Sequence, residues 1–226
     1  MGYFYAYDGC FVWYSCQKAF SIISGKPVTL IDVASVMVKS LPWSFFVSAI
    51  RFSANSLIGN QNLVTKIYFP REVLPLSAVL ASLFDFAIAI ITLSVVLAIA
   101  NIGINIYLLW VPHLIFILIC FVAACALILS CANLFFRDVK YIVEVVLTFG
   151  IFFTPVFYEV EMFGAKGKLL LLNPLAVILE SLKDVVVLHK APDIFWLAYA
   201  SVFAILTLLA SWKIFHEAEF KFAESV

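Results

Sequence analysis

The sequence predicts an all-α, polytopic transmembrane helix bundle. Three observations predict it. The 226 residues are 65% hydrophobic and only 12% charged, with mean hydropathy +1.11, whereas a soluble domain is about half apolar and roughly a quarter charged. No charged residue occurs between Asp85 and Arg137. The apolar runs reach the roughly 20 residues that a membrane-crossing helix needs, not the alternation over about 10 residues of a barrel strand. Five spans are expected, with a sixth if residues 4–24 also insert, in one transmembrane domain over residues 1–226.

The first of the five covers 28–50. Asp32 and Lys39 weaken it, but both lie toward one end, from which they are expected to reach an interface. The charge-free stretch is too long for one crossing and fits two. Its break is legible at "NIGIN", 101–105, where polar residues flank Gly103. One helix is therefore expected over about 71–100 and the next over about 107–134. His113, after Pro112, reads as an interfacial histidine. A fourth run covers 142–158, with Glu144 near its start and Pro155 near its end. The last lies between Asp193 and Lys213, with Trp196 and Trp212 as depth markers at the interfacial belt.

Between the last two spans, "LLLLNPLAVIL" is too short to cross. Asn173 followed by Pro174 signals a helix start, with proline at the first helical position. Glu180, Lys183 and Asp184 then fall on one stripe. Such a helix lies at the interface or dips in and returns, within an outer-side loop over 159–192.

Lys and Arg mark the cytoplasmic side. Arg51, Lys66 and Arg71 share one loop; Arg137 and Lys140 share the next on that side; Lys213 and Lys221 follow the last span. Lys166, Lys168, Lys183 and Lys190 oppose them. The majority places 51–71, 135–141 and the C-terminus in the cytoplasm. In that orientation 51–71 is a cytoplasmic hairpin. Leu63, Val64, Ile67 and Tyr68 share a helical face, Pro70 ends that helix and Arg71 begins the next crossing.

The chain has no G-x-x-x-x-G-K-[ST]; "SGKPV" and "FGAKGKLL" lack the hydroxyl after Gly-Lys. A phosphate-cradling loop needs its glycines and that hydroxyl, so the chain is not expected to hydrolyse ATP. The net charge is zero, and nothing points to nucleic acid. Of five cysteines, Cys120, Cys125 and Cys131 lie inside an apolar run, where a thiol acts as a small hydrophobe. The odd count and the lack of C-x-x-C speak against a metal site or a disulfide framework. No cofactor is expected. The first residues lack the basic and apolar regions of a secretory signal.

Several stretches carry a family resemblance. "LPWSFFVSAIRFSANSLIGNQNLVTKIYFPREVLPLSAVLASLFDF", "NLFFRDVKYIVEVVLTFGIFFTPVFYE", "LNPLAVILESLKDVV" and "HEAEFKFAESV" occur in the order and spacing of a known family. Over residues 40–226 the chain resembles the permease subunit of type-2 ABC exporters of polysaccharides, the family of O-antigen, capsule and teichoic acid permeases. Residues 1–40 match the family's opening interfacial helix and first span poorly and are short, as a truncated or frame-altered start would be. The resemblance implies pairing with a second copy of the chain and with two cytoplasmic ABC ATPase subunits. It implies a lipid-linked glycan as cargo and a bacterial inner membrane as location. It also implies that the ATPase docks on 51–71, which assigns Asn62, Lys66, Tyr68, Arg71 and Glu72 to coupling, and that 172–188 holds re-entrant helices.

Each of these residues also has a plain reading. Lys66, Arg71 and Glu72 serve equally, by residue type alone, as interfacial charges that set topology; the resemblance favours docking. Arg137 and Asp138 read as an ion pair or topology signal, and Glu144 as a charge that reaches water. Asp85 lies about midway along its helix, where a charge costs on the order of 3 kcal/mol. It either lines an export path or dimer seam, or is a neutral acid bonded to a neighbouring helix. Most of the 23 Phe, 9 Tyr and 5 Trp contact lipid or pack between helices. Phe153, Phe157 and Tyr158 are the candidates for cargo contact. A multi-pass enzyme acting on lipid-linked sugars is the alternative, but its acids would need to converge and here they are scattered singly. A passive channel would need rings of polar residues, which the apolar span near residue 120 lacks.

Overall fold

The computed structural model describes residues 30–59, 71–100, 105–136, 138–160 and 167–225, the last seven of these by backbone alone. The elements in chain order are α1 (Leu30–Gly59), α2 (Val73–Ile99), a 3-10 turn (Ile106–Trp110) running into α3 (Val111–Phe135), α4 (Val139–Phe153), α5 (Gly167–Leu170), α6 (Pro174–Val186) and α7 (Ile194–Ser225). No strand occurs among the described residues. The described residues form an all-helical bundle, as the length of the apolar runs predicts.

Four helices are long and apolar enough to cross a membrane: Ile31–Gly59, Val73–Ile99, Ile106–Phe135 and Ile194–Ala218. The run expected to span over 142–158 gives a shorter helix, the 15 residues of α4. At 1.5 Å per residue α4 is about 22 Å long, short of the roughly 30 Å hydrocarbon core. Pro155 is the reason. Proline disfavours helical geometry in the residue before it, and Thr154 is extended, with φ −112° and ψ 130°. The run expected over 4–24 lies outside the described residues, as do residues 60–70.

α1 is longer than expected. Residues 51–59, assigned by sequence to the hairpin, continue the helix to Gly59, so Arg51 is a helical residue. The break at 101–105 does separate two helices. There Asn105 accepts a hydrogen bond from the Ile106 N–H at 2.6 Å and starts the 3-10 turn. The Asn173–Pro174 signal also starts a helix: the Asn173 side chain accepts from the Leu175 N–H at 3.1 Å, with Pro174 in the first turn of α6.

α3 is the centre of the bundle. It packs against α1, α2, α6 and α7, and Leu118, Val122, Ala126 and Leu127 are fully enclosed. Lipid tails are as apolar as these side chains, so burial alone does not draw such helices together; close backbone approach does. Small residues supply it. Ala49, Ser53 and Ala54 of α1, Ala124, Ala126 and Ser130 of α3, and Ala200, Ala204 and Ser211 of α7 are all buried. The buried hydroxyls bond back to their own helices: Ser53 to the Ile50 carbonyl, Ser130 to Leu127 and Ser211 to Thr207, which removes the penalty of an unpaired donor. Phe45 of α1 stacks on Phe86 of α2 at 4.8 Å.

The two ends of the bundle are sorted. At one end Leu57, Leu127, Cys131 and Phe215 cluster with Leu74 and Leu134. This brings together the end of α1, the start of α2, the end of α3 and the late part of α7. Of the basic residues that the charge distribution groups on one side of the membrane, Arg51, Arg71, Lys140 and Lys213 lie in or beside these parts, in α1, at the start of α2, in the first turn of α4 and in α7. The opposite end holds the α4–α6 connection, and Asn105 donates to the His189 carbonyl there at 3.5 Å.

Candidate functional site

Two polar junctions interrupt this apolar bundle, one near each end. The first joins α1, α3 and α4. Asn133, in the last turns of α3, is fully buried. Its Nδ2 donates to the Ala54 carbonyl of α1 at 2.6 Å, and its Oδ1 accepts from the Lys140 N–H of α4 at 3.2 Å. The first N–H groups of a helix have no partner within it. Asp138, the residue that caps α4, makes no side-chain capping bond. Asn133 therefore caps α4 from a neighbouring helix. One turn along both α1 and α4, Arg51 pairs with Glu144 at 2.9 Å, each about half exposed.

The second junction lies at the other end. Lys39 of α1 is 1% exposed, and its Nζ donates to the Tyr158 carbonyl at 2.9 Å and to Glu180 Oε1 at 3.3 Å. Glu180 Oε2 also accepts from Lys183 at 2.8 Å, and Glu159 and Asp184 stand 3.8 Å from that ammonium. The expectation that Lys39 reaches an interface is thus corrected. It points into the bundle, where a buried charge requires partners, and Glu180 and a carbonyl supply them. Burial draws the Lys183 pKa down, but the hydrogen bond and charge of Glu180, with Glu159 and Asp184, outweigh it and leave it above the usual 10.5. Beside the network, Asn173 Nδ2 donates to Thr154 Oγ1 at 3.3 Å, which ties the start of α6 to the end of α4.

The residues singled out by sequence do not converge on one point. Asn62, Lys66 and Tyr68 lie outside the described residues. Arg71 and Glu72 are half-buried at the start of α2, with Glu72 in the capping position but making no side-chain capping bond. Asp85 is exposed. It opens onto a cleft of about 470 Å³ lined by Phe52, Ser56, Leu74, Ser77 and Ser82. Phe153 faces outward, 72% exposed, on a separate apolar cleft of about 600 Å³ between α1, α3 and α4. Phe157 packs against the main core. Tyr158 is held by its backbone, and its hydroxyl donates to the Phe152 carbonyl at 2.8 Å. Glu144, read as a charge at the water, is bound to Arg51.

Asn133 and the Lys39–Glu180 contact were not singled out in advance. An asparagine in the last turns of an otherwise apolar helix was the available signal for the first, because a polar side chain in a membrane bundle seeks a partner helix. Among the described residues no cluster of three His, Cys, Asp or Glu could hold a metal ion, and Cys120, Cys125 and Cys131 are free thiols within α3.

The family model for "ABC-2 type transporter" matches residues 11–187. The chain belongs to the ABC-2 type transporter family. Among its relatives, the O-antigen export system permease protein RfbA of Myxococcus xanthus is 31% identical over 196 residues, covering 82% of this chain and 73% of that protein. Two proteins of the same name from Klebsiella pneumoniae are 27% and 26% identical, each over 185 residues, covering 81% of this chain and 71% of theirs. As an ABC-2 type transporter chain it is a multi-pass membrane transport subunit that works with an ABC ATPase, and not an enzyme. The match runs through both junctions, since it contains Lys39, Asn133, Glu144 and Glu180.

Proposed function

We propose that this ABC-2 type chain is the permease subunit of an exporter that carries a lipid-linked cell-surface polysaccharide across the bacterial inner membrane. A separate cytoplasmic ATPase, in two copies, drives it, and a second copy of the chain completes the path. The single observation that carries the cargo assignment is that three relatives from two organisms are all O-antigen export permeases.

The segment between α1 and α2 docks the ATPase, with Asn62, Lys66, Tyr68, Arg71 and Glu72 in contact. Two features support this reading. Arg71 and Glu72 sit where α2 begins, at the end that also gathers the α3–α4 turn and the late part of α7. The basic residues of the chain favour that end as the cytoplasmic one. Asp85 lies on the export path or the seam with the second copy, because an exposed carboxylate midway along an apolar helix needs water or protein beside it. Phe153, exposed near the far end of α4, is the cargo-facing aromatic, with the half-buried Phe157 and Tyr158 beside it, since flat apolar ring faces suit sugar rings. The α5–α6 segment is re-entrant, because 13 residues give α6 only about 20 Å.

The test is co-purification from native membranes. The chain is expected to bring down a protein with a P-loop, and reversing the charges of Lys66 and Arg71 is expected to weaken that pairing. Pairing that survives those reversals and deletion of residues 60–69 would remove the docking assignment. A purified chain that alone altered a lipid-linked sugar would overturn the transport reading.

A further inference from the structure

α4 runs back along α1 and is held to it at four levels. Nearest the α1–α2 connection, Asn133 bridges the Ala54 carbonyl and the Lys140 N–H. One turn further along, Arg51 pairs with Glu144. Midway, the absence of a side chain at Gly150 lets the Trp43 ring lie against α4; a Cβ there would stand 3.1 Å from Trp43 Cη2. At the far end, Lys39 binds the Tyr158 carbonyl just beyond α4, and the same ammonium binds Glu180 of α6. α4 packs lightly on both α1 and α3, whereas α1 itself packs far more extensively on α2 and α3, so these four ties are much of what attaches α4 to α1.

We propose that α1 and α4 act as one lever, and that Asn133 is the positioning residue that locks them together at the end next to the ATPase-docking segment. The inference rests on the docking reading above. A push on the segment after Gly59 acts first on the last turns of α1. Asn133 passes it to the first turn of α4, because one amide is bonded to both helices and is fully enclosed. Lys39 then passes the movement of the pair to the Tyr158 turn and to α6. A two-state element that both the ATPase and the cargo path can bias is what coupling between distant sites requires. Without Asn133 the first turn of α4 loses its tie to the end of α1 and follows it less closely, with the other three ties still in place.

The experiment uses the intact complex with its ATPase. Asn133→Leu keeps the bulk and removes both bonds. Two quantities are read at matched amounts of assembled complex: MgATP hydrolysis by the purified complex, and polysaccharide on the surface of host cells carrying the variant. Hydrolysis is expected to stay within about two-fold of the wild type while surface polysaccharide falls about ten-fold or more, a loss in the range of typical coupling energies. A merely structural role would lower both by the same factor, and that result, or no change in either, overturns the inference.

If Asn133→Leu does not accumulate, Arg51→Glu and Glu144→Arg take its place. Each alone is expected to lower export per ATP, and the double reversal to restore it; single variants that export like the wild type overturn the lever. A wild-type complex that hydrolyses ATP but places no polysaccharide on the surface defeats the transport reading instead, so the two failures are distinguishable.

Discussion

Lys39 of α1 and Glu180 of α6 meet at 3.3 Å, with the lysine 1% and the glutamate 12% exposed. They are 141 positions apart in sequence. Glu180 is shared: one oxygen faces Lys39 and the other faces Lys183. Lys39 therefore depends on it for its one carboxylate partner, while Lys183 has Glu159 and Asp184 nearby as well, and Glu180 does not depend on either lysine alone.

That asymmetry makes the two partners unequal. Lys39→Met leaves Glu180 paired with Lys183 and fills the space with an apolar chain. Glu180→Leu leaves the buried Lys39 ammonium with only a carbonyl. Removing one partner of a buried pair typically costs about 3–5 kcal/mol, and Glu180→Leu is expected in that range. Lys39→Met is expected to cost less than half as much. Unfolding of the purified protein in detergent, by heat or denaturant, checks the order. Equal losses would mean that the two lysines do not share the carboxylate.

Trp43 and Gly150 give a second prediction. Trp43 is buried, and its ring fills the space that a side chain at 150 would need. Gly150→Leu overpacks this contact and is expected to destabilise by about 1–3 kcal/mol. Trp43→Ala leaves a cavity and is expected to cost about 3–5 kcal/mol. Combined, the leucine grows into that cavity, so the double variant is expected to lose less than the sum, with a coupling of about 0.5–3 kcal/mol. Additive losses in the same unfolding assay would show that the two residues do not meet.

Much of this fold is legible in the sequence, and the parts that are not share a physical cause. The spans show because hydropathy is local: each residue votes for lipid without reference to a partner. The Asn173–Pro174 start shows because a cap is local too, spanning only the next two residues. The short α4 was readable in principle, since Pro155 stands inside the run that was taken to span. Lys39 was not, because its burial depends on Glu180 and on a carbonyl 119 positions away. Asn133 hides for the same reason: its donor goes to Ala54, 79 positions earlier. Polar groups inside a membrane bundle announce that they need partners, but not which partners.

Asn173 provides a third prediction, on the start of α6. Its side chain accepts from the Leu175 N–H and donates to buried Thr154. Asn173→Ala loses both bonds and is expected to cost about 1–2 kcal/mol, at the upper end for a lost helix cap. Asn173→Asp keeps an acceptor for the Leu175 N–H, and the Thr154 hydroxyl can turn to donate to it. It is expected to recover most of the loss. If alanine and aspartate prove equally destabilising, the cap is not what holds the start of α6.

Asp85 provides the last. Its neighbours in the α1–α2 cleft include Ser56, Ser77 and Ser82, whose hydroxyls donate to carbonyls of their own helices and leave oxygen lone pairs as acceptors, while Ile88, one turn further along α2, is exposed and apolar. A carboxylate midway along a lipid-facing helix is costly unless water reaches it, and the serine-lined cleft is the route by which water is expected to do so. The five native cysteines are first replaced. A single Asp85→Cys variant in native membranes is then expected to react with a charged, water-borne thiol reagent about ten-fold or more faster than Ile88→Cys, because only the hydrated thiolate is nucleophilic. Similar slow rates at both positions would mean that no water enters the cleft, and would take Asp85 off the export path.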